Sequence, residues 1–167
     1  MCIRDSFDRC GLEWYRVESD VGAMGGFGAH EYMAPCAAGE NEVALSSAGY
    51  AANVEVASAE PRPVADLPEP LAAPESVHTP GATTVEEVAS LLGVPHGALI
   101  KAMPTVTEAG EAVLVVLRGD HRLNEIKLHN ALGEPARPAR VEEVAERFGS
   151  VPGFLSLIHI SEPTRPY

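Results

Sequence analysis

Lys101 stands in the stretch Leu99-Ile-Lys-Ala-Met103, one ammonium among four apolar neighbours. A charge in such a run needs a reason. An edge-strand lysine would block unwanted sheet pairing, and Pro104 just beyond suits an edge. The other reading is an anion-binding lysine whose apolar flanks leave its charge poorly screened. A second cluster, Arg118-Gly-Asp-His121, ends the unbroken apolar run Ala112–Leu117. It has three readings. In a plain turn, Gly119 permits the bend and Asp120 caps the helix that follows. An adhesion motif would need an exposed extracellular loop, and the strand leading in looks buried. At a site rim, Asp120, His121 and Lys127 would face a polar ligand.

Two further motifs carry less chemistry. Gly22-Ala-Met-Gly-Gly-Phe-Gly-Ala-His30 invites a phosphate-loop reading, but it lacks the Gly-Lys-Ser/Thr ending and the strand–loop–helix setting. His30-Glu-Tyr-Met33 has no second histidine at metal spacing, so no metal site is expected.

Composition narrows the classes. The chain has 24 acidic and 12 basic side chains, a net charge of −12. Residues 7–80 hold 12 acidic and 3 basic groups, residues 81–154 hold 10 and 7. No basic run is present, so bulk charge argues mildly against a nucleic-acid partner without excluding a local groove. No apolar run approaches a membrane span, and no membrane partner is expected. Cys10 and Cys36 form neither a Cys-x-x-Cys pair nor a zinc spacing. That usage points weakly to a reducing, cytoplasmic setting.

The ends read differently from the rest. One short DNA element, read in opposite orientations, would account for both MCIRDS (1–6) and LSLIHI (155–160). It looks like a transposase mosaic end, and SEPTRPY looks like adapter read-through. Residues 1–6 and 155–167 are therefore expected to be non-native, with poor packing of the tail. Phe7–Phe154 is then expected to be an internal piece of a longer reading frame.

Elements must position these side chains. In residues 7–58, strands are expected at 12–19, roughly 29–36, and 41–46, joined by glycine turns as an antiparallel meander. Residues 49–58 (GYAANVEVAS) look helical. Residues 59–80 contain six prolines and read as an extended linker. Residues 81–154 are better patterned. Thr84-Val-Glu-Glu87 is a capping box; Val85, Val88, Ala89 and Leu92 share one helical face, and Gly93 ends it. Strands are expected at 98–106 and 111–118, joined at Glu108-Ala109-Gly110. Helices follow over 123–132 and 141–148, with a possible strand near 136–140. The fold class expected is α+β.

These residues also carry a resemblance. DRCGLEWYRVESDVGAMGGFGAHEYM and SSAGYAANVEVA resemble the bacterial prolyl-tRNA synthetase catalytic domain just after class II motif 2. TPGATTVEEVASLLGV, LIKAM, VLVVLRGDHRLNEIKL and PGF resemble the editing domain inserted into it. The match covers nearly all of 7–154 in the family's order. Free-standing editing deacylases share only the second segment. The resemblance implies part of a class II antiparallel sheet over 7–58, the linker, then a truncated mixed α/β editing domain over 81–154.

For the intact protein the resemblance implies ATP-dependent charging of tRNA(Pro) with proline, using ATP and Mg2+, in a homodimer. It also implies hydrolytic editing of mischarged alanyl-tRNA. The need is physical: missing methylenes discriminate by only about 1–3 kcal/mol, so a second, smaller pocket must remove alanine. The resemblance places Lys101 at the tRNA 3′ end as the catalytic editing residue. Val85 and Val88 would wall the alanine sieve, with Gly119, Asp120, His121 and Gly153 at the rim. His30 and Glu31 would fall on the proline site. The departures are clear. Motifs 1 and 3 are absent, and motif 2 would lie upstream of Phe7. The Gly-x-x-x-Pro editing loop should begin at Gly153, and the later editing histidine and aspartate are missing. Phe27 and Gly28 replace the family's residues. This chain alone is thus expected to be inactive and to bind neither ATP nor Mg2+ well. A small acidic, non-catalytic binding module is the rival reading.

Overall fold

The computed structural model describes residues 3–73 and 75–155. The expectation for the tail therefore lies, apart from Leu155, outside the described residues. The chain divides after Pro61 into two compact units, Met1–Pro61 and Arg62–Tyr167. Together the elements make an α+β protein with one mixed and one antiparallel sheet.

The first unit opens with helix α1 (Ile3–Arg9), followed by β1 (Tyr15–Ser19), β2 (Ala29–Met33), β3 (Val43–Leu45) and β4 (Ala51–Asn53). Phe7 of α1 meets Trp14 and Tyr32, with ring centroids 6.4 and 6.1 Å away. The sheet order is β2-β1-β4-β3. β1 pairs antiparallel with β2, but its other neighbour, β4, runs parallel to it with Glu18 opposite Ala52. The expected meander is therefore corrected to two hairpins joined by a crossover. The crossover places β1 and β4 in the middle, where Val17 and Ala52 lose all exposure.

The expected helix over 49–58 is also corrected. Ala51–Asn53 is a strand. Gly49, at φ +90°, donates its N–H to Ser46 O (3.0 Å), and Ser46 N–H donates to Tyr50 O (2.8 Å). That turn folds the chain back onto β3. Helix propensity separates residues by only tenths of a kcal/mol, and sheet neighbours on both sides of β4 outweigh it.

The second unit contains α2 (Val85–Leu92), β5 (Ile100–Thr107), β6 (Ala112–Arg118), α3 (Glu125–Leu132), β7 (Ala136–Pro138) and α4 (Val141–Phe148). The helix–strand–strand–helix order of the sequence reading holds, as does the short strand before α4. Thr84 Oγ1 accepts the Glu87 N–H at 3.2 Å while the Glu87 carboxylate accepts the Thr84 N–H at 3.0 Å. Gly93 ends α2 in the left-handed region. The β5–β6 turn closes with Gly110 N–H on Thr107 O (3.0 Å). β5 lies between β6 and β7, all antiparallel.

The core of this unit is small: Ala82, Ala89, Val106 and Val144, with the buried hydroxyls of Thr105 and Thr107. Both threonines are satisfied, Thr105 Oγ1 donating to Val113 O and Thr107 Oγ1 accepting from Glu111 N–H. At the far edge, Arg137 donates twice to Glu143 at 2.8 and 2.7 Å. That guanidinium, with the Arg140 N–H, pushes the Glu143 carboxyl down to about 2.

Between Asn53 and Val85 the described residues contain no helix or strand. Near its start this stretch is tied down, because Arg62 O accepts a hydrogen bond from Arg118 at 2.7 Å.

Candidate functional site

Lys101 lies on β5 opposite Leu117 of β6. The edge-strand reading of this lysine is corrected in part. β5 is the middle strand, yet β7 covers only its Thr105–Thr107 end. Pro104 O accepts the Ala139 N–H at 2.9 Å. In an antiparallel strand a residue's N and O point the same way, so the donor that Pro104 lacks points off the end of β7. Among the described residues Ile100–Met103 thus has one strand neighbour, β6.

Past Arg118 the chain curls back over that end. Gly119 N–H donates to Leu99 O at 2.7 Å and His121 N–H to Arg118 O at 3.0 Å. The turn aims two carbonyls at the half-buried lysine: Lys101 Nζ donates to Gly119 O at 3.4 Å and to His121 O. An ammonium has three donors, and among the described residues the turn engages two of them.

Below Lys101 is a cavity of about 200 Å3, lined by Thr83, Thr84, Val85, Val88, Leu99, Ile100, Lys101, Ala102, Pro104, Pro152, Gly153 and Leu155. Drug-sized ligands take roughly 300–1,000 Å3, so this cavity suits a smaller group. Four residues singled out from the sequence converge on it: Lys101, Val85, Val88 and Gly153. Gly153 adopts φ +85°, and a Cβ there would lie 3.1 Å from Thr83 Cβ. Gly119 backs the Val85 wall, since a Cβ on it would come 3.0 Å from Val85 Cγ1 and 2.3 Å from His96 O.

The rest of the turn departs from expectation. Asp120 does not cap α3. Asn124 does, its side chain accepting the Lys127 N–H at 3.0 Å. The Asp120 carboxylate is gripped by Arg118, with Nε on Oδ1 at 2.6 Å and a terminal nitrogen on Oδ2 at 3.0 Å. That guanidinium holds its carboxyl below the usual range. Neither Asp120, nor His121, nor Lys127 lines the cavity. His121 contributes through its backbone carbonyl.

Thr83, Leu99, Ile100, Pro104 and Pro152 line the cavity without having been singled out. A signal existed for Thr83, which precedes the capping box: its N–H also donates to the Glu87 carboxylate, at 2.9 Å. The two amides lower the Glu87 carboxyl below its ordinary value. Arg118 was missed as a clip, although Arg-x-Asp at a strand end is a readable signal.

His30 and Glu31 lie on β2, in the other unit, and face opposite sides of the strand. His30 Nε2 is 3.2 Å from the Arg16 guanidinium, and Ser19 Oγ donates to Glu31 at 2.7 Å. A cavity of about 460 Å3 runs past both, with Phe7 and Tyr32. Among the described residues no group of three His, Cys, Asp or Glu could hold a metal ion, and no helix is long and apolar enough to cross a membrane.

Residues 79–166 match the family model of the aminoacyl-tRNA editing domain. The chain belongs to that family. Its relatives include proline–tRNA ligases. That of Geobacter sulfurreducens is 44% identical over 154 residues, which cover 90% of this chain and 26% of the relative. The ligase of Bacillus licheniformis is 42% identical over 151 residues, again 26% of its length. This chain thus spans about a quarter of these relatives. The similarity reaches well beyond the editing domain, into the first unit.

Proposed function

We propose that this chain is a segment of a prolyl-tRNA synthetase, in which the second unit edits mischarged alanyl-tRNA and the first is part of the class II catalytic sheet. The observation that carries the reading is the convergence of Lys101, Val85, Val88 and Gly153 on one small cavity. The relatives' similarity across both units favours a synthetase segment over a free-standing deacylase.

The chemistry follows from the residues. Lys101 offers its remaining donor direction to the phosphate–ribose end of the tRNA. With that end fixed, the aminoacyl group points down between Val85 and Val88, where alanine fits and a bulkier group clashes. Holding the ester beside a water converts an encounter into a positioned attack, worth orders of magnitude in rate. Water adds to the ester carbonyl, and the ribose oxygen leaves with a proton.

For the intact protein we assign the partners tRNA(Pro) and proline, ATP with Mg2+, and a homodimeric, cytoplasmic state. The described residues do not themselves fit ATP and Mg2+. Among the described residues no group of three His, Cys, Asp or Glu could hold Mg2+, and Arg16 meets His30, which lines the first unit's cavity. This chain alone is inactive in charging.

The test is a hybrid: the Geobacter sulfurreducens ligase carrying residues 7–154 of this chain in place of its matched segment. Alanyl-tRNA should be hydrolysed roughly tenfold or more faster than prolyl-tRNA. A hybrid that binds tRNA but hydrolyses neither ester would favour the non-catalytic module.

A further inference from the structure

We infer that Arg118 and Asp120 are positioning residues: their ion pair, tied to the linker at Arg62, holds the turn whose carbonyls grip the Lys101 ammonium. The inference deepens the editing reading and rests on it for its functional meaning.

Arg118 has every guanidinium nitrogen engaged. Two meet the Asp120 carboxylate in a forked pair at 2.6 and 3.0 Å, and the third donates to Arg62 O at 2.7 Å. Such forks fix geometry as well as charge. Asp120 sits between Gly119 and His121, the two residues whose carbonyls accept from Lys101 Nζ. A shift of the Asp120 side chain therefore drags on both carbonyls.

The linker also lies close to the same turn, across Gly97. A Cβ on Gly97 would lie 2.8 Å from Val64 Cγ2 and 3.1 Å from Asp120 Oδ2. Only a glycine leaves room for the linker valine and the carboxylate together. The chain of contacts runs from Arg62, through Arg118 and Asp120 and the carbonyls beside it, to the ammonium, with Val64 flanking it across Gly97.

Stability alone does not account for this arrangement. The Arg118 and Asp120 side chains keep 25% and 37% of their exposure, and exposed ion pairs add little to stability. Position is another matter, since small misplacements near a reacting ester are expensive in rate.

The chain has two lysines, Lys101 and Lys127, so 15N-lysine labelling of the full chain gives two side-chain signals, and Lys127→Arg identifies Lys101. We expect Asp120→Asn to speed solvent exchange of the Lys101 ammonium by about tenfold, with the melting temperature nearly unchanged. Val64→Ala, a milder change far from the lysine in sequence, should move the same signal in the same direction by less. In the hybrid ligase, Asp120→Asn should lower kcat for alanyl-tRNA hydrolysis more than it raises KM. A Lys101 signal unmoved in both variants overturns the positioning link, whatever the hydrolysis rate. A signal that moves while Lys101→Ala still edits overturns the editing reading and leaves the positioning link standing.

Discussion

At the scale of single residues, the site depends on close approach as much as on charge. Gly119 lies where a Cβ would meet His96 O at 2.3 Å and Val85 Cγ1 at 3.0 Å. Gly119→Ala should therefore destabilise the fold by roughly 1–3 kcal/mol through overpacking against backbone, read by denaturant unfolding. Gly28, which has open space around it, is the control, and Gly28→Ala should stay within about 0.5 kcal/mol. Val85 carries a different expectation. Shortening it widens the sieve, so Val85→Ala in the hybrid should raise prolyl-tRNA hydrolysis about tenfold and keep alanyl-tRNA hydrolysis. Measured hydrolysis of both esters separates a sieve from a residue that merely fills space.

Part of this was legible in the residues. Lys101 stood out as a charge in an apolar run, and its resemblance to the editing lysine placed Val85, Val88 and Gly153 beside it. Asp120 was misread for a physical reason. Asp and Asn are both strong helix caps, and here both lie ahead of α3. The choice fell to Asn124 because Arg118 already holds Asp120. The Arg118–Arg62 bond spans 56 positions, and no local pattern announces a contact of that range.

At the scale of elements, local signals worked where they were self-contained. The Thr84–Glu87 box and the left-handed Gly93 define α2 from within, and the Glu108–Gly110 turn defines the β5–β6 hairpin. They failed at β4, where three residues with helix-favouring alanines are held by neighbours on both sides. The last helix offers a pH test. Arg137 lowers the Glu143 carboxyl from 4.5 to about 2. A depressed carboxyl contributes its stability above its unfolded value and loses it as pH falls toward its folded value. The melting temperature should therefore drop between about pH 4.5 and about pH 2. Glu143→Gln should flatten part of that drop, the remainder belonging mainly to Glu87, which is shifted the same way, with only a small share from the exposed Arg118–Asp120 pair. A drop of equal depth in the variant would remove Glu143 from the account.

At the scale of the whole molecule, each unit has a thin core. Val17 and Val144 are the largest fully buried side chains, while Met24 and Phe27 stand fully exposed at a turn. Small units bury a small share of their surface. Charging needs preorganised phosphate clamps, and the described residues do not form them. This chain should therefore show no proline-dependent ATP–pyrophosphate exchange; exchange by pure protein would contradict the segment reading. On the proposed function, Lys101 serves editing and not charging. The most direct test is Lys101→Ala in the hybrid ligase, with alanyl-tRNA hydrolysis and proline-dependent exchange measured on the same preparation. Hydrolysis should fall about a hundredfold while exchange stays near that of the unmodified hybrid. Hydrolysis at the unmodified rate would contradict the account and leave Lys101 as a lysine that only pins a turn.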